Sequence, residues 1–216
     1  MKKILITSLL IFSMAAAQSL YAQKGLSVSI KGTPQFTWMN NSDDHDNNSY
    51  DSKSKFGANF GLGAQYNFTN NMGVGLDVLY SLQGRKYDLA GKDYDQKNEY
   101  IKIPVYFSYN TDPAKKVAFV GKLGPQLSIL TNSKLDGNGF EKRDTKDQYK
   151  DITFGAMANA GVQFAVQKNI FLNAGIRFDY DFTNAEDDSF ASYPGGRAKT
   201  YNSTLGLEVG LKYQLR

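Results

Sequence analysis

The chain has 216 residues, one histidine, no cysteine and a formal net charge of +4. This length suits one domain or at most two, and the lack of cysteine excludes a disulfide framework, a thiol site and a lipid-modified cysteine. Two of the 25 basic residues lie in the first 22 positions, so 23 basic residues face 21 acidic ones in the remainder. That balance excludes the strongly basic footprint of a nucleic-acid-binding protein.

The N-terminus has the pattern of a secretory signal peptide. Lys2 and Lys3 precede an apolar run over 4–14, which is followed by three alanines at 15–17 and a cleavage point after Ala22. The segment is too short, and too soon followed by polar residues, for a membrane anchor. We therefore expect residues 1–22 to be removed and residues 23–216 to form a single domain.

The first strand is predicted over 26–38, where small or apolar residues alternate with polar ones. The apolar face holds Leu26, Val28, Ile30, Gly32, Pro34, Phe36 and Trp38. An alternation over about thirteen residues is roughly twice the usual strand length in a soluble protein. It suits a bilayer, which a tilted strand crosses in roughly nine to eleven residues.

Seven further alternating segments follow along the chain. They are predicted over 56–68, 72–85, 99–109, 117–131, 152–164, 170–182 and 201–215. Long polar loops over 40–54, 86–97, 132–151 and 184–200 alternate with short turns, which is the asymmetry of a bacterial outer-membrane barrel. No apolar run after residue 22 is long enough for a transmembrane helix, and backbone groups in lipid must pair within the protein, so such strands span a membrane only as a closed barrel.

We therefore predict an all-β fold, an eight-stranded antiparallel up-and-down transmembrane β-barrel of the bacterial outer membrane. Its even strand number places both termini on the periplasmic side and the long loops outside the cell. Two aromatic girdles are expected at the membrane interfaces: Trp38, Phe56, Tyr180, Phe182 and Tyr201 near the loops, and Tyr66, Phe68, Tyr109, Phe164 and Tyr213 near the turns. The alternative is a soluble lipocalin-like barrel, in which the apolar rows would face inward.

The inward rows of the predicted barrel carry charges of both signs. They hold Lys31, Asp77, Arg85, Lys102, Lys122, Arg177, Asp179, Asp181, Glu208 and Lys212. An eight-stranded barrel has an interior just wide enough for side chains to fill, and desolvated charges there must be paired and hydrogen-bonded. These residues predict a salt-bridged polar core, with a gated or narrow solute path along the charges as the alternative.

Three short stretches resemble one known family. The run 100–106, YIKIPVY, the run 121–125, GKLGP, and the run 176–180, IRFDY, are similar in order and spacing to strands of the PorT-type outer-membrane barrels of Bacteroidetes, themselves broadly similar to the OmpA transmembrane domain. Lys102 stands where that family often has an acidic residue. The ending 210–215, GLKYQL, resembles the signal read by the barrel assembly machinery, although Arg216 follows where a terminal phenylalanine is common.

The single histidine, His45, lies in the acidic loop sequence SDDHD. It could belong to a catalytic His/Asp/Ser set like those of small outer-membrane lipid-modifying barrels, or bind a divalent cation with Asp43, Asp44 and Asp46. Aspartate, asparagine and serine also dominate any solvated loop, so we predict an exposed histidine and no catalytic, cofactor or metal site.

The predicted function is non-enzymatic, structural or interaction-based, and exerted through the four external loops. The expected partners are outer-membrane lipid and lipopolysaccharide, the barrel assembly machinery during insertion, and proteins that bind the loops, but not nucleic acid. A narrow small-solute porin is one alternative, and a lipid-modifying enzyme that uses His45 is another.

Overall fold

The computed structural model describes residues 24–45, 50–89, 91–112, 115–137, 140–191 and 193–215. Its strands are β1 (Gly25–Asn40), β2 (Tyr50–Asn67), β3 (Met72–Leu89), β4 (Lys92–Asn110), β5 (Val117–Gly137), β6 (Phe140–Asp144), β7 (Ile152–Gln167), β8 (Ile170–Asp181) and β9 (Tyr201–Gln214). A one-turn helix α1 (Ser42–His45) and a 3-10 turn (Lys146–Gln148) complete the described structure. The predicted signal peptide lies outside the described residues, and neither described helix is long or apolar enough to cross a membrane.

Eight of the strands close into an antiparallel barrel in the order β1, β2, β3, β4, β5, β7, β8 and β9. Each pairs with the next, and β9 returns to pair with β1 through a register that runs from Ser27 opposite Gln214 to Asn40 opposite Tyr201. The short strand β6 pairs with β5 in a hairpin beyond the barrel wall. The predicted eight-stranded up-and-down barrel is confirmed.

The apolar rows of the strands face outward and the polar rows face inward. Ile30, Leu62, Phe119 and Leu207 are among the exposed large apolar side chains, whereas their neighbours along each strand are buried or half-buried. This is the reverse of a water-soluble barrel, in which apolar side chains fill the core. The lipocalin-like alternative is therefore wrong.

Three of the predicted long loops are partly strand, which corrects the strand ends expected from the sequence. β3 continues to Leu89 and β4 begins at Lys92, so the predicted loop 86–97 is mostly a hairpin. The predicted loop 132–151 holds the end of β5 and all of β6, and 40–54 includes the start of β2. These extensions lie beyond the apolar rows, where backbone pairing continues without an apolar face.

The β3–β4 hairpin shows how such an extension is held together. Tyr87 and Tyr94 are cross-strand partners, and their rings stack with centroids 5.0 Å apart and planes inclined by 11°. Cross-strand aromatic pairs of this kind stabilise a two-stranded ribbon. Hydrophobic periodicity gave no sign of the hairpin because polar residues fill both of its faces.

Candidate functional site

The barrel interior is the candidate site, and the structure places all ten predicted interior residues inside it. Lys31, Asp77, Arg85, Lys102, Lys122, Arg177, Asp179, Asp181, Glu208 and Lys212 are each buried. They come from six strands, because every strand of a closed barrel turns alternate side chains toward the axis. We call the end of the barrel near the N- and C-terminal strand ends the terminus end, and the opposite end the loop end.

Arg177 forms the centre of the interior. Its Nε donates to Asp179 Oδ1 at 2.9 Å, its Nη1 to Glu208 Oε2 at 3.1 Å and its Nη2 to Gln126 Oε1 at 3.0 Å. The Arg177 side chain is 1% exposed, so these contacts take the place of hydrogen bonds to water. The planar guanidinium of arginine holds its N–H donors in fixed directions and can therefore bind several acceptors at once, whereas a lysine ammonium is a compact point charge.

Three lysines pair with the carboxylates around this centre. Lys31 Nζ lies 2.7 Å from Asp77 Oδ2, and Lys122 Nζ lies 2.9 Å from Glu208 Oε1. Lys102, the position at which the chain departs from the PorT-type pattern, donates to Asp179 Oδ2 at 3.1 Å. The two carboxylates that accept hydrogen bonds from Arg177 are therefore each shared with a lysine, and Asp77, the partner of Lys31, lies 3.9 Å from Arg177 Nη1.

Tyr106 fills the space between two of these pairs. Its hydroxyl donates to Asp77 Oδ1 at 3.1 Å, and its ring lies 5.5 Å from Lys31 Nζ and 5.6 Å from Lys122 Nζ. Cations at this distance from an aromatic face are attracted to it. Its cross-strand partner Gly75 makes room for the ring, because a Cβ at that position would come within 2.4 Å of it.

Asp181 is held by neutral donors instead of a cation. Thr153 Oγ1 donates to it at 3.1 Å and Asn202 Nδ2 at 3.3 Å, and within the described part of the chain no lysine or arginine lies in ion-pair range of it. A buried carboxylate can be satisfied in this way when several donors converge on it. Asp181 therefore belongs to the predicted polar core but not to its ion pairs.

An apolar layer separates this network from the loop end. Met39, Tyr100, Leu130 and Tyr149 form a cluster of buried side chains there. Tyr100 Oη accepts a hydrogen bond from Asn202 Nδ2 at 3.3 Å, which ties the layer to the polar network below. The alternation pattern places Tyr100 on the inward row, whereas no pattern in the sequence predicted that Tyr149 would reach the same layer.

The loop end carries a second ionic cluster. Arg85, predicted as part of the interior network, instead lies 2.6 Å from Asp44 Oδ2 and 3.8 Å from Glu186 Oε1. Arg197 bridges the same two acids, with Nη1 2.9 Å from Asp44 Oδ1 and Nε 2.7 Å from Glu186 Oε2. Two arginines and two carboxylates thus join helix α1, β3 and the β8–β9 loop (182–200).

The two arginines control the ionisation of Asp44. Burial opposes its charge, but hydrogen bonds from Arg197 and Arg85 outweigh that effect and hold the pKa of Asp44 below its usual range. Hydrogen bonds from Arg197 to Glu186 likewise raise the pKa of the Arg197 guanidinium above its ordinary value. Asp44 and Arg197 are therefore both charged near neutral pH.

The β8–β9 loop folds across the loop end of the barrel. Ala185 is fully buried, and Glu186 forms an isolated β-bridge with Tyr149. Asn41 Nδ2 donates to Ala198 O at 2.7 Å, so both ends of the loop are fixed to the rim. None of these loop residues was predicted from the sequence, because no periodic pattern runs through 182–200.

The acidic residues around His45 are engaged by the protein itself. Both oxygens of Asp44 accept hydrogen bonds from arginines, and Asp43 Oδ2 accepts one from the backbone N–H of Ala198 at 2.7 Å. The His45 side chain and Asp46 lie outside the described residues. Among the residues that are described, no group of three histidine or acidic side chains is arranged to hold a metal ion.

The ten predicted girdle aromatics all lie on the outward face. Phe56, Tyr66, Phe68, Tyr109, Phe164 and Phe182 are exposed, while Trp38, Tyr180, Tyr201 and Tyr213 are half-buried. Near the loop end, the ring of Tyr180 lies 5.7 Å from that of Phe182 and 6.0 Å from that of Tyr201. Their contact with a membrane interface remains a prediction.

Known proteins share this architecture. The chain is similar to the crystal structure of Neisserial surface protein A (NspA), with a TM-score of 0.50 and 18% identity over 89% of this chain and 98% of that one. It is also similar to the outer membrane protein OprG from Pseudomonas aeruginosa, with a TM-score of 0.51 and 12% identity over 92% of this chain and 100% of that one. At these identities the likeness concerns the fold alone.

No curated protein sequence matches the chain. Residues 16–187, which cover most of its length, match the family described as "Outer membrane protein beta-barrel domain". Together with the closed barrel and its outward apolar face, this match defines the class of protein. The chain is a member of the outer-membrane protein β-barrel domain family.

Proposed function

We propose that this protein is a closed, non-enzymatic outer-membrane barrel that acts structurally or by binding partners at its loop end. The observation that carries the proposal is the occupation of the lumen. Arg177 and its ion-paired neighbours fill the centre, a layer around Tyr100 and Tyr149 lies over them, and the β8–β9 loop covers the loop end. A lumen filled with paired side chains supports a structural role over a solute path.

We further propose how the barrel is oriented in the membrane and to which group of barrels it belongs. With an even number of strands both termini lie at one end, which we assign to the periplasm, and the loop end then faces the exterior. The three sequence stretches that resemble PorT-type barrels support membership of that Bacteroidetes group. Residues 1–22 would direct export, the assembly machinery would insert the barrel, and lipid and lipopolysaccharide would surround it.

The hairpins at the loop end support a role in partner binding. The strand extensions at the loop end carry charges of both signs. Lys55 of β2 pairs with Asp95 of β4, and Lys97 lies 3.7 Å from Asp95 and 3.3 Å from Asp136 of β5. The stacked Tyr87 and Tyr94 hold the β3–β4 ribbon beyond the barrel. Strand-paired hairpins with mixed charge and aromatic side chains at loop positions suit protein recognition more than passage of a solute.

Conductance in a planar bilayer tests the closed barrel. We expect no stable large conductance from purified protein whose gel mobility shifts on boiling, the sign of a folded barrel. The informative variant replaces residues 186–198 by a short glycine-serine turn. It removes the cover but leaves Arg177 and Tyr100, so it is also expected to stay closed. A stable nanosiemens-class opening in the wild-type protein would overturn the proposal in favour of a narrow porin.

The non-enzymatic part of the proposal has its own test. His45→Ala should leave the mass spectrum of lipid A unchanged in cells that express the protein, compared with wild type and with an empty vector. Acylation or deacylation that depends on His45 would overturn this part and leave the closed barrel intact.

A further inference from the structure

Lys212 is a buried cation without a carboxylate partner. It lies on the inward row of β9 near the terminus end and is 6% exposed. Its Nζ lies 5.0 Å from the centre of the Phe171 ring, and among the described residues no carboxylate oxygen comes within 4 Å of it. The other buried cations of the interior, Lys31, Lys102, Lys122 and Arg177, each have a carboxylate within 3.1 Å.

The charges inside the barrel therefore do not balance. Its cations are Lys31, Lys102, Lys122, Arg177 and Lys212, and its carboxylates are Asp77, Asp179, Asp181 and Glu208. The cluster at the loop end is neutral, since Arg85 and Arg197 face Asp44 and Glu186. The surplus is a single positive charge, and Lys212 is the group that lacks a partner. A buried charge of this kind needs a counter-charge within reach.

A small polar cavity adjoins Lys212 at the terminus end. Its lining includes Lys122, Lys212, Gln163, Asn173 and Asn110, and none of the lining residues is acidic. Gln163 and Asn173 are direct cross-strand partners on β7 and β8, so their amide side chains enter the cavity at the same level. The cavity has room for roughly one water-sized occupant.

The amide of Asn173 is available as a donor in this cavity. Asn173 Oδ1 is buried and accepts no hydrogen bond within the described structure. Because this oxygen accepts no hydrogen bond, the amide can turn over without losing one there, and its Nδ2 group then becomes a donor in its place. Lys212, which has no carboxylate partner, lines the cavity together with amide groups and with Lys122, whose ammonium also binds Glu208. Such a set of donors is the chemistry that binds an anion.

We propose that Lys212, together with Lys122 and the amides of Gln163 and Asn173, binds one small monovalent anion of chloride size at the terminus end of the barrel. The small size of the cavity favours a monatomic anion over phosphate, sulfate and carboxylated metabolites. The bound ion neutralises the surplus charge and completes the polar core. Its role is structural, since the lumen beyond it is filled by Lys31, Tyr106 and Arg177.

The test uses chloride itself on purified full-length protein folded in detergent micelles. Line broadening of chloride-35 in NMR titrations reports exchange of the ion with the site. We expect broadening with the wild-type protein and its loss in Lys212→Met, which keeps the length of the side chain without its charge. Lys168→Met is the matched control, because Lys168 lies exposed in the β7–β8 turn at the same end. Equal broadening in all three proteins, or none in the wild type, would overturn the proposal.

Thermal unfolding gives an independent readout, compared in chloride and in gluconate at equal ionic strength. Gluconate is too large for the cavity. The unfolding temperature of the wild type should be higher in chloride, because an ion that binds only the folded barrel stabilises it, and that of Lys212→Met should be the same in both salts. An identical salt response of the two proteins would also overturn the proposal. The boiling-dependent gel shift shows for each variant that a folded barrel is being measured.

Discussion

Arg197 donates two hydrogen bonds, of 2.9 and 3.1 Å, to the carboxylate of Asp44, which lies 153 residues earlier in the chain. The same guanidinium binds Glu186 within its own loop. This contact joins the β8–β9 loop to helix α1 and, through Arg85, to the barrel wall. Charge-assisted hydrogen bonds thus add to the backbone and amide contacts that hold the cover of the loop end, whereas hydrogen bonds between strands hold the barrel itself.

Arg197→Ala should release the β8–β9 loop without unfolding the barrel. Hydrogen bonds to charged groups contribute about 1.5–3 kcal/mol each, so the open form of the loop should become roughly 10- to 100-fold more populated. Amide hydrogen exchange across 184–200 measures this change. Lys199→Ala is the control, since Lys199 is exposed in the same loop. If exchange is equal in the two variants, Arg197 does not hold the loop.

The closure of this loop should depend on pH through Asp44. The pKa of Asp44 is lowered from 3.8 in the folded protein, so its contribution is complete above that value and is lost as the pH falls through the depressed folded pKa. Hydrogen-exchange protection of the loop, corrected for the intrinsic exchange rate, should be constant from neutral pH to about pH 5 and fall only below about pH 4. Asp44→Asn removes the titrating group, so it should lack this step. A step of the same size in that variant would assign the titration to another residue.

Arg177→Met should destabilise the whole barrel. It leaves Asp179 and Glu208 with one cation each and Gln126 without its donor. Breaking a buried ion pair costs about 3–5 kcal/mol, and we expect the free energy of unfolding in urea to fall by that amount. Arg177→Lys keeps the charge but cannot reach all three acceptors, so its loss should be smaller. A Met variant as stable as the wild type would show that the central network is not needed for folding.

Leu207→Arg tests whether the outward face contacts lipid. Leu207 is exposed and lies midway along β9 between the predicted girdle residues Tyr201 and Tyr213. An arginine at the centre of a bilayer costs about 2–4 kcal/mol, and near the interface about 0–1 kcal/mol. Leu82→Arg is the control for a position near the interface. The cross-strand partner of Leu82 is the charged Glu99, so the apolar outer face ends at this level. Folding into lipid vesicles should weaken for Leu207→Arg only, and equal losses would contradict the predicted depth.

The alternation of apolar and polar residues along the chain was enough to predict the number of strands and the face to which each side chain points. Where one face of a strand meets lipid, the outward residues are apolar and the inward residues are polar. The residue types of Ile30 and Lys31 therefore indicate that Ile30 points outward and Lys31 inward. The same pattern placed Arg177, Asp179 and Glu208 on one interior surface. It could not show that Lys102 binds Asp179 from across the lumen, because that contact depends on the tilt and register of strands far apart in sequence.

Other features were decided by the tertiary structure alone. The hairpin around Tyr87 and Tyr94 lies beyond the apolar rows, where backbone pairing proceeds without a hydrophobic signal. Arg197 lies in a segment without periodicity, and its partner Asp44 reads in the sequence as one more acid of a solvated loop. Local alternation determines which way a side chain points, since it reflects the solvent on each side. Which charges meet inside the barrel is set by closure, which brings distant strands around a common axis.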